Sequence, residues 1–142
     1  MQNILRLDLE DARLIVAGAE RHAQKIAVPV CIAITDESGQ LVAFIRMQGG
    51  KVTSSTIAID KAFTAAGAKK ATHDYGVASQ PGAPAYGISS AIGGRLIVVA
   101  GGLPVVFENE VVGGVGVSSG TPSQDQEIAQ AGIDYWLSER CQ

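Results

Sequence analysis

The sequence is poor in aromatic residues, in cysteine and in charge. Aromatics fill only 5% of its 142 positions, so the core must be built from small side chains brought close together. No run of Lys or Arg occurs and the net charge is −3. Nucleic-acid binding needs a concentrated basic surface to neutralise phosphates, and that function is excluded. The longest apolar runs, around Ile32 and Val98, fall far short of the ~20 residues that span a bilayer, so no membrane partner is expected. The first residues carry neither a basic start nor an apolar signal core, and a cytoplasmic location is expected. Cys31 lies inside an apolar run and Cys141 is penultimate, which makes neither a zinc spacing nor a disulfide framework. Cys31 reads as a buried core thiol.

What is present is a globular composition, 46% hydrophobic and 18% charged, in a length that fits one domain over residues 1–142. Asp8 can cap a first helix in which Leu9, Ala12, Val16, Ala19, Ala23 and Ile26 recur at spacings of three and four. Val30 to Thr35 is apolar on both faces, as a central strand is. Asp36-Glu37-Ser38-Gly39 reads as a tight turn, and Gln40 to Met47 as the returning strand. Ser54 or Ser55 can cap a second helix to about Lys69, with Ile59, Ala62, Phe63 and Ala66 as its core stripe. Its other face, Ile57, Lys61, Thr64 and Ala65, is unusually apolar and predicts a second covering element, partner or ligand. Thr72 to Gly94 reads as a structured loop, Arg95–Ala100, Leu103–Phe107 and Val111–Ser118 as three meandering strands, and Thr121-Pro122 as the start of a last helix. That helix carries Ile128, Ala131, Tyr135 and Trp136 inward. Short turns between consecutive strands make them antiparallel, so the expectation is an α/β (α+β) fold with a five-stranded antiparallel sheet.

The last strand is the richest in possibilities. Val112, Gly114, Gly116 and Ser118 alternate onto one face that is nearly bare of side chains, so backbone or a flat ligand can approach Gly114 and Gly116 closely. Either a tightly packed helix or a bound ligand satisfies that pattern. Gly116-Val117-Ser118-Ser119-Gly120 has the form of a nucleophile elbow, but the two histidines, His22 and His73, both precede it, which removes a triad in that chain order. Asp125 and Glu127 bring negative charge to the helix start that follows, where Thr121 and Gln124 form a capping box, and this argues for self-capping over a phosphate site. No spacing of acids, Cys or His predicts a metal site. His22, at the edge of the first helix near Gly18, and His73, in Thr72-His73-Asp74, each read as packed residues or as ligands. Lys61 and Arg46 each read as structural residues or as pocket residues.

Ile32-Ala33-Ile34-Thr35-Asp36 with Gly39, Leu41-Val42-Ala43, Arg46-Met47, Ile59-Asp60-Lys61-Ala62 with Thr64-Ala65-Ala66, Gln80-Pro81-Gly82 with Tyr86-Gly87, and Gly101-Gly102-Leu103-Pro104 through Val112 to Ser118, then Gln124-Asp125 and Ile128-Ala129, together resemble the GlcG/HbpS-like family, which includes the C-terminal domain of PduO-type proteins. The resemblance covers essentially the whole chain. It implies a three-layer, profilin-like fold with helices on both faces of the sheet, and a homo-oligomer, octamer or tetramer. It also implies a small-molecule-binding protein whose best single ligand is haem or a related tetrapyrrole, with His22 and His73 as the candidate iron ligands and Met47 a weaker one. Against this stand a metal-free enzyme acting on a small polar carboxylate metabolite through Lys61, Arg46 and Asp125 or His73, and an oligomeric accessory protein of a metabolic operon.

Overall fold

A computed structural model describes residues 1–140, which leaves Cys141 outside. Helix α1 (Leu9–Lys25) begins with a reciprocal cap: Asp8 accepts from the Asp11 amide and Asp11 from the Asp8 amide, both at 3.0 Å. Asp11 also accepts from the Trp136 indole (2.9 Å) and from Arg140 (2.8 Å), which ties the start of α1 to the end of the last helix. The chain then forms strand β1 (Cys31–Asp36), strand β2 (Leu41–Arg46), helix α2 (Ser54–Ala68) and a short helix α3 (Thr72–Ala78). Strands β3 (Gly102–Phe107) and β4 (Glu110–Ser118) and helix α4 (Pro122–Arg140) complete it. Among the described residues no helix is long and apolar enough to cross a membrane.

All pairings are antiparallel and the order is β2-β1-β4-β3, so β1 and β4 are central. On one face Ile32, Ile34, Leu103, Val105, Val115 and Val117 join Ile15 of α1 and Ile128 and Trp136 of α4 in the main core. On the other, Cys31 and Ala33 meet Ala58 and Ala62 of α2 in a smaller cluster. Helices thus cover both faces. The β1–β2 turn is held by Asp36, whose Oδ1 accepts from the Ser38 hydroxyl (2.6 Å), the Ser38 amide (2.9 Å) and the Gln40 amide (3.1 Å). Gly39 supplies the left-handed φ of 81° that closes it.

The sheet has four strands rather than five. Arg95–Ala100 is extended in sequence character, but its backbone is engaged by a helix and not by a strand. The Ile97 amide donates to the Thr64 hydroxyl (3.0 Å), that hydroxyl lies 3.1 Å from the Arg95 carbonyl, and the Arg95 guanidinium donates to Asp60 (2.9 Å). This segment thus lies along α2 at Thr64, on the second apolar face of the helix, where Lys61, Thr64 and Ala65 are all buried. Helix α3 interrupts the expected Thr72–Gly94 loop; at seven residues it is too short to leave a period. Neither Ser54 nor Ser55 caps α2. Thr53 holds the cap position without a side-chain bond, and Ser54 is buried in the first turn. In α4, Gly132 and Ile133 turn inward with Ile128 and Trp136, whereas Ala131 and Tyr135 are only partly buried. A β-carbon on Gly18 would meet Tyr135, and one on Gly132 would meet the Ile15 carbonyl at 2.6 Å, so two glycines let α1 and α4 approach closely.

The bare face of β4 is filled by α2. A β-carbon on Gly114 would strike the Ala62 carbonyl, and one on Gly116 the Ala58 carbonyl. Gly116→Ala is expected to destabilise the fold by about 1–3 kcal/mol in urea unfolding, since backbone on both sides resists movement. Gly67→Ala on the same helix meets nothing within 4 Å and is expected to raise stability by roughly 0.5–1 kcal/mol.

The Asp36 carboxyl titrates below its usual range: burial pushes it up, but the Ser38 and Gln40 donors and Arg6 together outweigh that. A depressed folded-state value contributes stability above the ordinary carboxyl pKa and loses it on acidification. Stability is therefore expected to fall as pH drops below about 4, and Asp36→Asn is expected to flatten that acid limb in a pH series of unfolding curves.

Candidate functional site

Beyond the Gly102–Gly116 pair the β3–β4 ladder ends. The Val117 amide still donates to the Gly101 carbonyl (2.9 Å), while the Val117 carbonyl accepts from the Lys61 ammonium at 2.8 Å. Lys61 reaches this point from α2 and also donates to Asp125 Oδ2 at 3.0 Å. Asp125 sits in the first turn of α4, and its other oxygen accepts from the Gly120 amide at 2.9 Å. The pair therefore joins the two helical layers around the end of the sheet. Each residue is 2% exposed. Burial drives the Lys61 pKa down and the Asp125 pKa up, and the attraction between them opposes both changes. Gly101, at a φ of 126°, closes over them: a β-carbon there would lie 2.7 Å from the Lys61 nitrogen and 2.6 Å from the Val117 carbonyl.

Of the residues singled out by sequence, Lys61 and Asp125 are brought into direct contact. Arg46 is not with them in any hydrogen bond or ion pair among the described residues; it is exposed at the end of edge strand β2. Gly114 and Gly116 lie against α2, whose backbone takes the space a ligand would need. Met47 is partly buried against the main core.

The histidines lie elsewhere. His22, near the end of α1, places Nε2 2.8 Å from Glu127 of α4. A carboxylate oxygen accepts, so Nε2 carries the proton and the Nδ1 lone pair is left for another partner. His22 lines a groove of about 650 Å³ with Ser123, Gln126, Glu127 and Gln130. It also lines an adjoining one of about 230 Å³ with Arg21, Lys25 and Tyr135. Arg21 lies over the Tyr135 ring at 4.5 Å. This wall thus carries an imidazole, two cations and a tyrosine whose ring is stacked under one of them, groups able to meet a carboxylate-bearing ligand. Neither groove is lined by Lys61 or Asp125. His73, at the start of α3, has Nε2 3.5 Å from Asp74, and its Nδ1 is buried with no hydrogen-bond partner among the described residues. Among those residues no three His, Cys, Asp or Glu side chains converge as a metal site.

The sequence assigned Glu127 only to the charge of the α4 first turn and did not mark Arg21, Lys25 and Tyr135 as groove-lining residues. Arg21 and His22 are followed one turn later on α1 by Lys25, which marks a polar flank. The groove needs the α4 wall as well, and that appears only once Gly18 and Gly132 dock the two helices.

A family model described as "Haem degrading protein HbpS-like" matches residues 7–134. A 15.0 kDa protein from the dhaT-dhaS intergenic region of Citrobacter freundii is 37% identical over 133 residues, 94% of each chain. The crystal structure of Klebsiella pneumoniae protein ORFY is similar at a TM-score of 0.95 and 36% identity, covering 97% of this chain and 95% of that one. A crystal structure of the PduOC–haem complex is similar at a TM-score of 0.89 and 34% identity, covering 92% and 95%.

The buried pair makes its own test. Lys61→Met leaves a buried carboxylate without its cation and is expected to cost about 3–5 kcal/mol in denaturant unfolding. Adding Asp125→Leu to it is expected to recover part of that loss, with a coupling on the order of 1–3 kcal/mol in the double-mutant cycle.

Proposed function

The chain belongs to the HbpS-like family, and from that premise we propose that it is a small-molecule-binding protein whose ligand is haem or a related tetrapyrrole. The observation that carries the reading is His22: an imidazole on a groove wall, held by Glu127 through one nitrogen and free to ligate through the other. A ligating histidine whose second nitrogen donates to a carboxylate is fixed in tautomer and orientation, and its basicity rises. Arg21, braced over the Tyr135 ring, and Lys25 would hold the ligand's carboxylates. Haem, if bound, would supply an iron centre that the His22 imidazole would ligate. The similarity to the PduOC–haem complex supports the same ligand class.

The protein acts in this reading as a homo-oligomer, a tetramer or octamer, in the cytoplasm. Catalysis on a carboxylate metabolite through Lys61, Arg46 and Asp125 or His73 would need those groups to meet one substrate; Lys61 and Asp125 are buried beneath Gly101, and Arg46 stands apart on edge strand β2. No observation favours that alternative.

Titrating the purified protein with hemin is expected to give a saturable Soret shift. His22→Ala is expected to weaken binding on the order of tenfold to a hundredfold or abolish the shift, and His73→Ala to leave it in place. Identical titrations of wild type and His22→Ala would remove His22 as the axial ligand.

A further inference from the structure

The contact between His22 and Glu127 joins the last turn of α1 to the second turn of α4, and both side chains are partly solvated, 25% and 58% exposed. A pair that open contributes little by itself and does not fix two helices against each other. The alignment of its two members must be set from elsewhere in the structure.

The anchor lies two residues before Glu127. Asp125 turns into the protein, where its two oxygens accept from the Gly120 amide at 2.9 Å and from the Lys61 ammonium at 3.0 Å. Lys61 has little freedom to follow a moving partner. Its ammonium is also bound to the Val117 carbonyl, and a β-carbon on Gly101 would lie 2.7 Å from its nitrogen and 2.9 Å from the Asp125 β-carbon. Gly120 carries the constraint on to α1. A β-carbon there would stand 2.9 Å from both Asp125 Oδ1 and Val28 Cγ1. The Val28 amide in turn donates to the carbonyl of Ala23, the residue next to His22, at 3.0 Å. A chain of close contacts therefore runs from α2 through Lys61, Asp125, Gly120 and Val28 to the end of α1. Ser123, Gln126 and Glu127 of the groove all lie in the part of α4 that this chain holds.

We propose that Lys61 and Asp125 are positioning residues for the α1–α4 groove. Acting from the opposite helical layer, they set the start of α4 against the end of α1, and so keep Glu127 on Nε2 of His22 and the lone pair on Nδ1. This role rests on the ligand reading above only for what Nδ1 meets; the alignment itself belongs to the free protein. A buried pair that served stability alone would lower the resistance to unfolding and leave the His22 ring as it is.

Nitrogen-15 labelling of histidine in the ligand-free protein tests the role at about pH 8, where neutral imidazole prevails. Wild type is expected to show a His22 Nε2–H proton slowed in its exchange with water by Glu127. Two changes disturb the joint differently. Lys61→Met with Asp125→Leu replaces the charges by apolar bulk, and Gly120→Ala drives a methyl group between Val28 and Asp125. Each is expected to speed that exchange on the order of tenfold or more, and to weaken hemin binding on the order of tenfold, the lower end of what loss of an outer-shell partner costs. Gly113→Ala strains the other end of β4, against Leu7 and the Thr35 carbonyl, and is expected to leave the His22 proton unchanged. Two variants of different chemistry keep the test decisive if one fails to fold by circular dichroism. Folded joint variants whose His22 exchange matches wild type would overturn the positioning role. So would a wild type with no slowed proton, or a Gly113→Ala protein that moves it equally. A wild type that binds no hemin would overturn the ligand reading alone, since the exchange measurement needs no ligand.

Discussion

Backbone contact between α2 and β4 is the constraint from which the rest of the molecule follows. The Ala58 and Ala62 carbonyls rest where side chains on Gly116 and Gly114 would stand. A helix set this deep against a sheet has no room for large residues between the layers. Alanines face it from α2, and Cys31 and Ala33 from β1. The bulk of the core is moved to the opposite face, where Trp136 and the branched side chains gather under α1 and α4. The low aromatic content is the composition this packing requires.

The depth of α2 also decides where its one buried cation goes. Lys61 projects past the last β3–β4 pair, takes the Val117 carbonyl left without a ladder partner, and meets Asp125 from the opposite layer. Desolvation opposes charge on both groups, so each depends on the other and on the amide and carbonyl beside it. Gly101 then fits over the pair because no side chain could. A lysine beside an acid has the residue types of a catalytic pair; in this geometry the two form a buried joint between helical layers. On the far side, where α1 and α4 meet, a half-buried His22 pairs with the more exposed Glu127 along an open groove.

Much of this was legible in the residues. The Asp8 cap, the Asp36–Gly39 turn, the Thr121–Gln124 capping box and the double-sided burial of β1 are local consequences of residue type, and all four are present. The low-bulk face of β4 was legible too, though its occupant was not: glycine tells how close a neighbour comes and nothing of its identity. Arg95–Ala100 has the apolar character of a strand, yet Thr64 and Asp60 on α2 capture its polar groups. That capture depends on residues some thirty positions away, which no local pattern contains. The same holds for the pairing of Lys61 with Asp125 and of His22 with Glu127, each across most or much of the chain.

The family places the fold firmly, and the functional claim turns on which histidine meets the ligand. The chain has two, so selective nitrogen-15 labelling of histidine gives two imidazole signals to follow as hemin is added. Binding at the α1–α4 groove predicts that the His22 ring nitrogens broaden and shift while those of His73 stay in place. Perturbation of His73 with His22 unchanged, or of neither, would contradict it.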